Sequence, residues 1–213
     1  VTTAADRPLR AGSAAKRSAI LTAARDLFLA DGFERTSVDS IAAASGGVSK
    51  RTIYDYFGDK SALLLAVVEQ SVEGLLTSVK AAVDDELSDD VRTRADLEAA
   101  LHAFVARVAD TTLGSADYAA LVGLVRSEAA HLPGLAARWT AREPEDLLAE
   151  RFAHFEQAGL LHVPKPRTAA DQFTALTFGL SQSETPLAIA VPGSRREEIL
   201  RDGVEAFMRA YAI

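Results

Sequence analysis

The stretch from Thr36 to Lys60, TSVDSIAAASGGVSKRTIYDYFGDK, constrains the fold more than any other, because it reads as two short helices on either side of a glycine turn. Ser37 is placed to cap a first helix, Val38 to Ser45, in which Val38, Ile41 and Ala42 recur at helical spacing and make one apolar face. Gly46-Gly47 ends that helix, and Ser49 is placed to cap a second whose first turn is Lys50, Arg51 and Thr52. Side chains at a helix N-terminus point forward, where an inserted helix meets base edges and phosphates. Ile53 and Phe57, four apart, anchor the second helix to a core and leave Tyr54 and Tyr56 toward the rim, each with a hydroxyl that can reach a phosphate oxygen. Asp59 is a cap for a third helix, and Lys60 in its first turn is a natural phosphate contact.

Upstream, Ile20, Ala23, Ala24, Leu27 and Phe28 form one helical stripe over Ala14 to Asp31, closed by Gly32, so a three-helix headpiece is expected over residues 14–60. Residues 1–13, with Arg7, Pro8 and Arg10, lack periodicity and read as an arm. Such an arm either enters a minor groove or has no role.

This segment resembles the DNA-binding part of the TetR family of transcriptional repressors. Thr36-Ser37, the Ile41-Ala42 helix, Gly47-Val48-Ser49, Lys50, Thr52-Ile53-Tyr54, Tyr56-Phe57, Lys60 and Leu63-Leu64 stand where the family pattern has them, as do Ala24, Leu27-Phe28 and Gly32-Phe33 before them. One departure is that the family usually has a single glycine before Val-Ser, where this chain has Gly46-Gly47. The resemblance implies DNA contacts from Thr36, Ser37, Ser49, Lys50, Arg51, Thr52, Tyr54, Tyr56 and Lys60. The alternative is an amphipathic helical hairpin with no DNA role.

A net charge of −7 argues against nucleic-acid binding until its distribution is considered. Residues 1–60 carry 9 Lys and Arg against 7 Asp and Glu, and the remainder carries 14 against 23. The balance points the right way and implies weak sequence-independent binding. There is no cysteine, so disulfides, thiolate metal sites and cysteine nucleophiles are excluded, in keeping with a cytoplasmic location. No apolar run approaches the length of a membrane span, so no membrane partner is expected.

The rest of the chain, 61–213, reads as all-α, for about nine helices in total. Lys60 to Glu86 is one long helix with Leu63, Leu64, Val67, Val68, Val72, Leu75, Leu76 and Val79 on one face. Arg92 to Thr112, Ala116 to His131 and Leu135 to Ala158 follow, with Pro144 either kinking the last or sitting in the first turn of its second half. Residues 159–168 read as a loop, and Ala169 to about Ser183 and Ser194 to Tyr211 as the final helices.

His102, His131, His154 and His162 do not recur on one face with carboxylates, His154 with Glu150 being the nearest case, so no metal is expected. No nucleophile elbow, glycine-rich phosphate loop or zinc signature is present, which leaves no catalytic or cofactor reading. An aromatic set, Phe104, Tyr118, Trp139, Phe152 and Phe155, with His102, Arg126 and Glu128, lies among the helices where the resemblance implies an effector cavity; the same aromatics also read as plain core. The resemblance further implies a homodimer through the last two helices, with Phe173, Leu176, Thr177, Leu180, Val204, Phe207, Met208 and Tyr211, facing an inverted-repeat operator. The expectation is therefore a dimeric repressor released by a small, largely apolar effector, or a protein of the same fold controlled by a protein partner or by nothing.

Overall fold

The computed structural model describes residues 11–112, 115–139, 143–180 and 193–213. These are all-α, and packing divides the chain into two units, one of residues up to Ser71 with Leu121–Trp139, the other of Val72–Ala120 and the chain from Thr140 to Ile213. Residues 121–139 thus pack with the headpiece, although the sequence reading places them in the C-terminal domain.

The first unit holds α1 (Ala11–Asp31), α2 (Val38–Ala44), α3 (Lys50–Phe57) and the first half of α4 (Lys60–Glu86). Most of the arm lies outside the described residues; its last residues open α1. The stripe Ile20, Leu21, Ala24 and Phe28 is buried with Val38, Ile41, Ile53, Leu63, Leu64, Val67 and Val68, so each short helix contributes its few apolar residues to one common core. This burial makes such helices stable, since seven or eight residues are too few to hold a helix in water alone. Gly32 and Gly58, each at φ 84°, end α1 and α3, and Asp59 Oδ1 accepts from the Ala62 N–H at 2.7 Å to cap α4 as expected.

By length and composition α4 is long and apolar enough to cross a membrane, with a mean hydropathy of 1.5 over its best window, contrary to the sequence expectation. The helix places Leu63, Leu64, Val67 and Val68 in the core of the first unit and Val79, Ala82 and Val83 in that of the second. Part of its apolar surface thus belongs to each core, while Leu65, Val72, Leu75 and Leu76 are half-buried.

The second unit adds α5 (Arg94–Thr111), the start of α6 (Ala116–Glu128), α8 (Glu143–Gln157), α9 (Pro166–Thr174) with a π-helical turn at Ala175–Gly179, and α10 (Gly193–Tyr211); α7 (Pro133–Trp139) belongs to the first. Thr93 caps α5 in a capping box with Asp96. Of the expected helix from Leu135 to Ala158, α7 runs to Trp139 and α8 starts at Glu143, residues 140–142 lying outside the described residues; Pro144 sits in the first turn of α8, where no backbone donor is lost. Pro166 likewise begins α9, so the helix starts three residues ahead of the expected Ala169. Residues 181–192, which hold the expected end of this helix and most of the following connection, lie outside the described residues.

Four phenylalanines centre this unit. Phe152 lies 4.9 Å from Phe207 and 5.6 Å from Phe173 between ring centroids, Phe173 lies 5.0 Å from Phe207, and Phe104 closes the group 6.2 Å from Phe173. All four are at most 1% exposed, and burial of each stabilises the fold by about 1.5–3 kcal/mol. The chain end is fastened to the loop after α8, the His162 N–H donating to the Tyr211 carbonyl at 2.7 Å and the Ile213 N–H to the Leu160 carbonyl at 3.2 Å.

The π-helical turn meets α10 at Gly203, where a Cβ would stand 2.5 Å from the Leu176 carbonyl oxygen and 2.9 Å from Thr177 Cγ2. Gly203→Ala is therefore expected to destabilise the protein by about 1–3 kcal/mol in chemical denaturation. Gly123→Ala, at an open helical position on α6, should instead stabilise it by about 0.5–1 kcal/mol. Equal effects from the two substitutions would contradict this packing.

Candidate nucleic-acid interface

Two consecutive glycines in the left-handed region, Gly46 at φ 79° and Gly47 at φ 78°, carry the chain from α2 to α3. Neither has a heavy atom within 4 Å of where a Cβ would stand, so the need for glycine is a backbone need. The additional glycine is thus an integral part of the turn.

Both helices of the pair are capped as expected. Ser37 Oγ accepts from the Ser40 N–H at 3.0 Å and Ser40 Oγ accepts from the Ser37 N–H at 3.2 Å, a reciprocal box. Ser49 Oγ accepts from the Thr52 N–H at 3.0 Å and lies 2.8 Å from Thr52 Oγ1. Ile53, 1% exposed, fastens α3 to the core, while Phe57 is half-buried with the Arg17 guanidinium 5.4 Å from its ring centre.

Of the residues expected to face DNA, Ser37, Ser49, Lys50, Arg51 and Tyr54 are exposed and Thr52 is half-buried beside them. Three are placed differently. Thr36 is 3% exposed, and its hydroxyl engages the carbonyls of Gly32 at 2.8 Å and Leu27 at 3.1 Å, so it fastens the α1–α2 turn and does not reach the surface. Tyr56 is half-buried, its hydroxyl 2.6 Å from Ser13 Oγ, and so ties α3 to the start of α1. Lys60 is also half-buried, donating to the carbonyls of Phe33 at 2.9 Å and Thr36 at 3.3 Å with its ammonium 4.2 Å from the Phe33 ring centre. This holds α4 against the end of the α1–α2 turn and engages in internal hydrogen bonds the ammonium that was expected to meet a phosphate.

The first turn of α3 also has carboxylates beside its cations. Lys50 Nζ donates to Asp39 Oδ2 of α2 at 3.0 Å, and that hydrogen bond and charge raise the Lys50 pKa above its ordinary value. Arg51 Nε is 3.9 Å from Asp55 Oδ2 one turn on. The sequence reading missed Asp39, Ser13, Arg17 and Phe33. Each acts on a residue far along the chain, and helical periodicity carries no signal for such a pairing.

The expected effector residues are divided. Phe104, Phe152 and Phe155 are buried in the core of the second unit, His102 and Tyr118 are half-buried there, and burial followed by the nearby Glu145 charge pushes the Tyr118 phenol pKa up. Arg126, exposed, and Glu128, half-buried, belong to the first unit; Trp139 ends α7 there, its side chain outside the described residues. Among the described residues no group of three His, Asp or Glu side chains is arranged to hold a metal ion. His154 Nε2 lies 3.4 Å from Asp89.

Of the expected dimer residues, Phe173, Thr177, Val204, Phe207 and Met208 are at most 2% exposed in the single chain, and their apolar surface is covered by α5, α8 and their own pairing. They form the protomer core. Leu176 and Leu180, 39% and 46% exposed, and the half-buried Tyr211 keep surface that a second chain can cover.

Residues 20–67 match the model of the bacterial regulatory proteins of the tetR family, and residues 99–213 match the AefR-like transcriptional repressor C-terminal domain. The HTH-type transcriptional activator FasR of Mycolicibacterium smegmatis is 34% identical over 84 residues, a segment spanning 39% of this chain and 38% of that protein. Among solved structures, a TetR-family regulator of Mesorhizobium loti superposes with a TM-score of 0.84 at 22% identity, covering 96% of this chain and all of that one. The Flavonoid-responsive Regulator FrrA superposes with a TM-score of 0.68 at 28% identity, over 92% of this chain and 97% of its own.

Lys60→Ala is expected to lower headpiece stability by about 1.5–3 kcal/mol, the usual loss for charged hydrogen bonds, and to leave the salt dependence of DNA binding unchanged. A salt slope reduced by about one unit would place the ammonium on a phosphate. Replacing either Gly46 or Gly47 with Ala should cost roughly 1–2 kcal/mol, with Asn costing less at each site, as read from denaturant titrations.

Proposed function

We propose that this chain, which belongs to the TetR family and is a DNA-binding transcriptional regulator of that type with an AefR-like C-terminal domain, is a homodimeric repressor released from its operator by a small, largely apolar effector. The observation that carries the reading is the surface at the start of α3, where Lys50, Arg51, Thr52 and Tyr54 stand together on a helix capped by Ser49 and anchored by Ile53. A capped helix end with two cations, a hydroxyl and an aromatic phenol is suited to base edges and phosphates of a major groove. Such a protein works where the DNA is, in the cytoplasm.

Two copies related by a two-fold axis present two such helices to an inverted repeat, whose half-sites lie about 34–36 Å apart on one face of the duplex. Leu176 and Leu180 supply the dimer contact, because their apolar surface is left open by the protomer core. Leu180→Glu is expected to yield monomers in sedimentation with the melting temperature nearly kept, whereas Phe207→Glu should unfold the chain by burying a charge. Dimers retained in Leu180→Glu would place the interface elsewhere.

FrrA, 28% identical, is named as flavonoid-responsive, which supports aromatic polyphenols as the first effectors to test. The effector acts by favouring a form of the dimer that does not fit DNA, with His102 and Tyr118 as polar groups beside the aromatic core. A hundredfold loss of operator affinity requires a preference of about 2.7 kcal/mol, and linkage makes operator DNA weaken effector binding by the same factor. The test is a titration of effector into free and operator-bound protein, followed through Trp139, the single tryptophan. Equal affinities would sink the mechanism.

The activator name of FasR favours a second reading, in which the bound protein turns transcription on. A reporter driven by the operator separates the two, since loss of a repressor raises expression and loss of an activator lowers it.

A further inference from the structure

Lys50 has its ammonium 3.0 Å from Asp39, and the two residues stand on different helices of the DNA-reading pair. Both side chains are open to solvent, 48% and 72% exposed, so the contact is not forced by burial. Asp39 lies within the capping box at the start of α2, where the Ser37 and Ser40 side chains engage each other's backbone donors and leave its carboxylate to reach across the glycine turn. Lys50 thus meets the surroundings already paired with an anion.

Resting on the reading that the start of α3 faces DNA, we propose that Asp39 is a charge-masking residue that suppresses sequence-independent DNA binding by holding Lys50. Binding to DNA of any sequence is driven by counterion release as cations replace the ions condensed on phosphates. A lysine that exchanges a carboxylate for a phosphate gains little, because the freed Asp39 must then recruit a cation from solution beside a polyanion. Lys50 therefore does not count among the cations that a random duplex can use. Arg51 remains available, its side chain 89% exposed and its guanidinium 3.9 Å from the likewise exposed Asp55 carboxylate. The consequence for a regulator is that non-specific sites, which vastly outnumber operators, hold less of the protein.

The experiment measures binding of the 213-residue chain to a mixed-sequence 30-base-pair duplex over a salt series, for the unaltered sequence, Asp39→Asn, Lys50→Met and the double variant, with Arg51→Ala as an interface control. Asp39→Asn should tighten binding several-fold and steepen the salt slope by about one unit, the signature of one added phosphate contact. Lys50→Met and the double variant should bind alike, because the gain from removing the carboxylate depends on the lysine. A gain of the same size in the Lys50→Met background would mean long-range charge repulsion and overturn the proposal, as would an unchanged slope in Asp39→Asn. If Arg51→Ala weakens binding while Asp39→Asn does nothing, masking fails and the DNA-facing role of α3 stands. If none of the variants alters binding, that role fails as well. Melting temperatures within a few degrees of the unaltered sequence keep the comparison free of unfolding.

Discussion

What α3 can present to a partner depends on the reversal at Gly46 and Gly47, since two successive residues in the left-handed region are needed to turn the chain from α2 into the start of the next helix. The turn by itself has little to hold it. It is held because Ile41 on one side and Ile53 on the other are buried at 0% and 1% exposure, so that both helices are fixed to the same core. With the ends fixed, Ser49 caps α3 and its first-turn side chains are left at the surface.

The polar residues around this turn have two uses, and the structure separates them. Hydroxyls at Ser37 and Ser49 satisfy helix ends while remaining at the surface. Thr36, Tyr56 and Lys60 are drawn inward to carbonyls and hydroxyls of α1 and the turn after it. The inward group explains how so small a headpiece keeps its geometry: a buried carbonyl without a donor is costly, and here a threonine and a lysine supply donors to the end of α1 and the turn after it. The outward group then sits on a frame made rigid by side chains of the same chemical kind.

The second unit follows a different economy, built on aromatic packing. Phe104, Phe152, Phe173 and Phe207 come from four helical elements and meet in tilted and edge-on arrangements, which ties α5, α8, α9 and α10 into one core. The π-helical turn after α9 brings the backbone of Leu176 against Gly203 and turns the side chains of Leu176 and Leu180 to the surface. A single core and a separate apolar outer face therefore arise from one helix pair.

Helix positions were legible in the sequence wherever a period of apolar residues coincided with a cap or a stop. The bounds of α4 and the caps at Ser37, Ser49 and Asp59 follow from local chemistry, which acts over three or four residues, whereas local chemistry leaves Pro144 either kinking a helix or opening one. The family resemblance was legible for the same reason, because its motif is a run of local signals. Which of two apolar faces becomes core is not a local property: Phe173, Val204 and Phe207 have the pattern of an interface in the sequence, but in the fold they are buried in the protomer, with the rings of Phe104 and Phe152 against those of Phe173 and Phe207. In the same way Lys60 and Lys50 are equivalent as residues in a first helical turn, and only tertiary structure distinguishes them: Phe33 and its carbonyl lie beside one, Asp39 beside the other. The sequence by itself determined where the chain is helical and where it turns; the tertiary structure decided which side chains those helices hide, because burial and ion pairing are set by neighbours that the chain brings in from a distance.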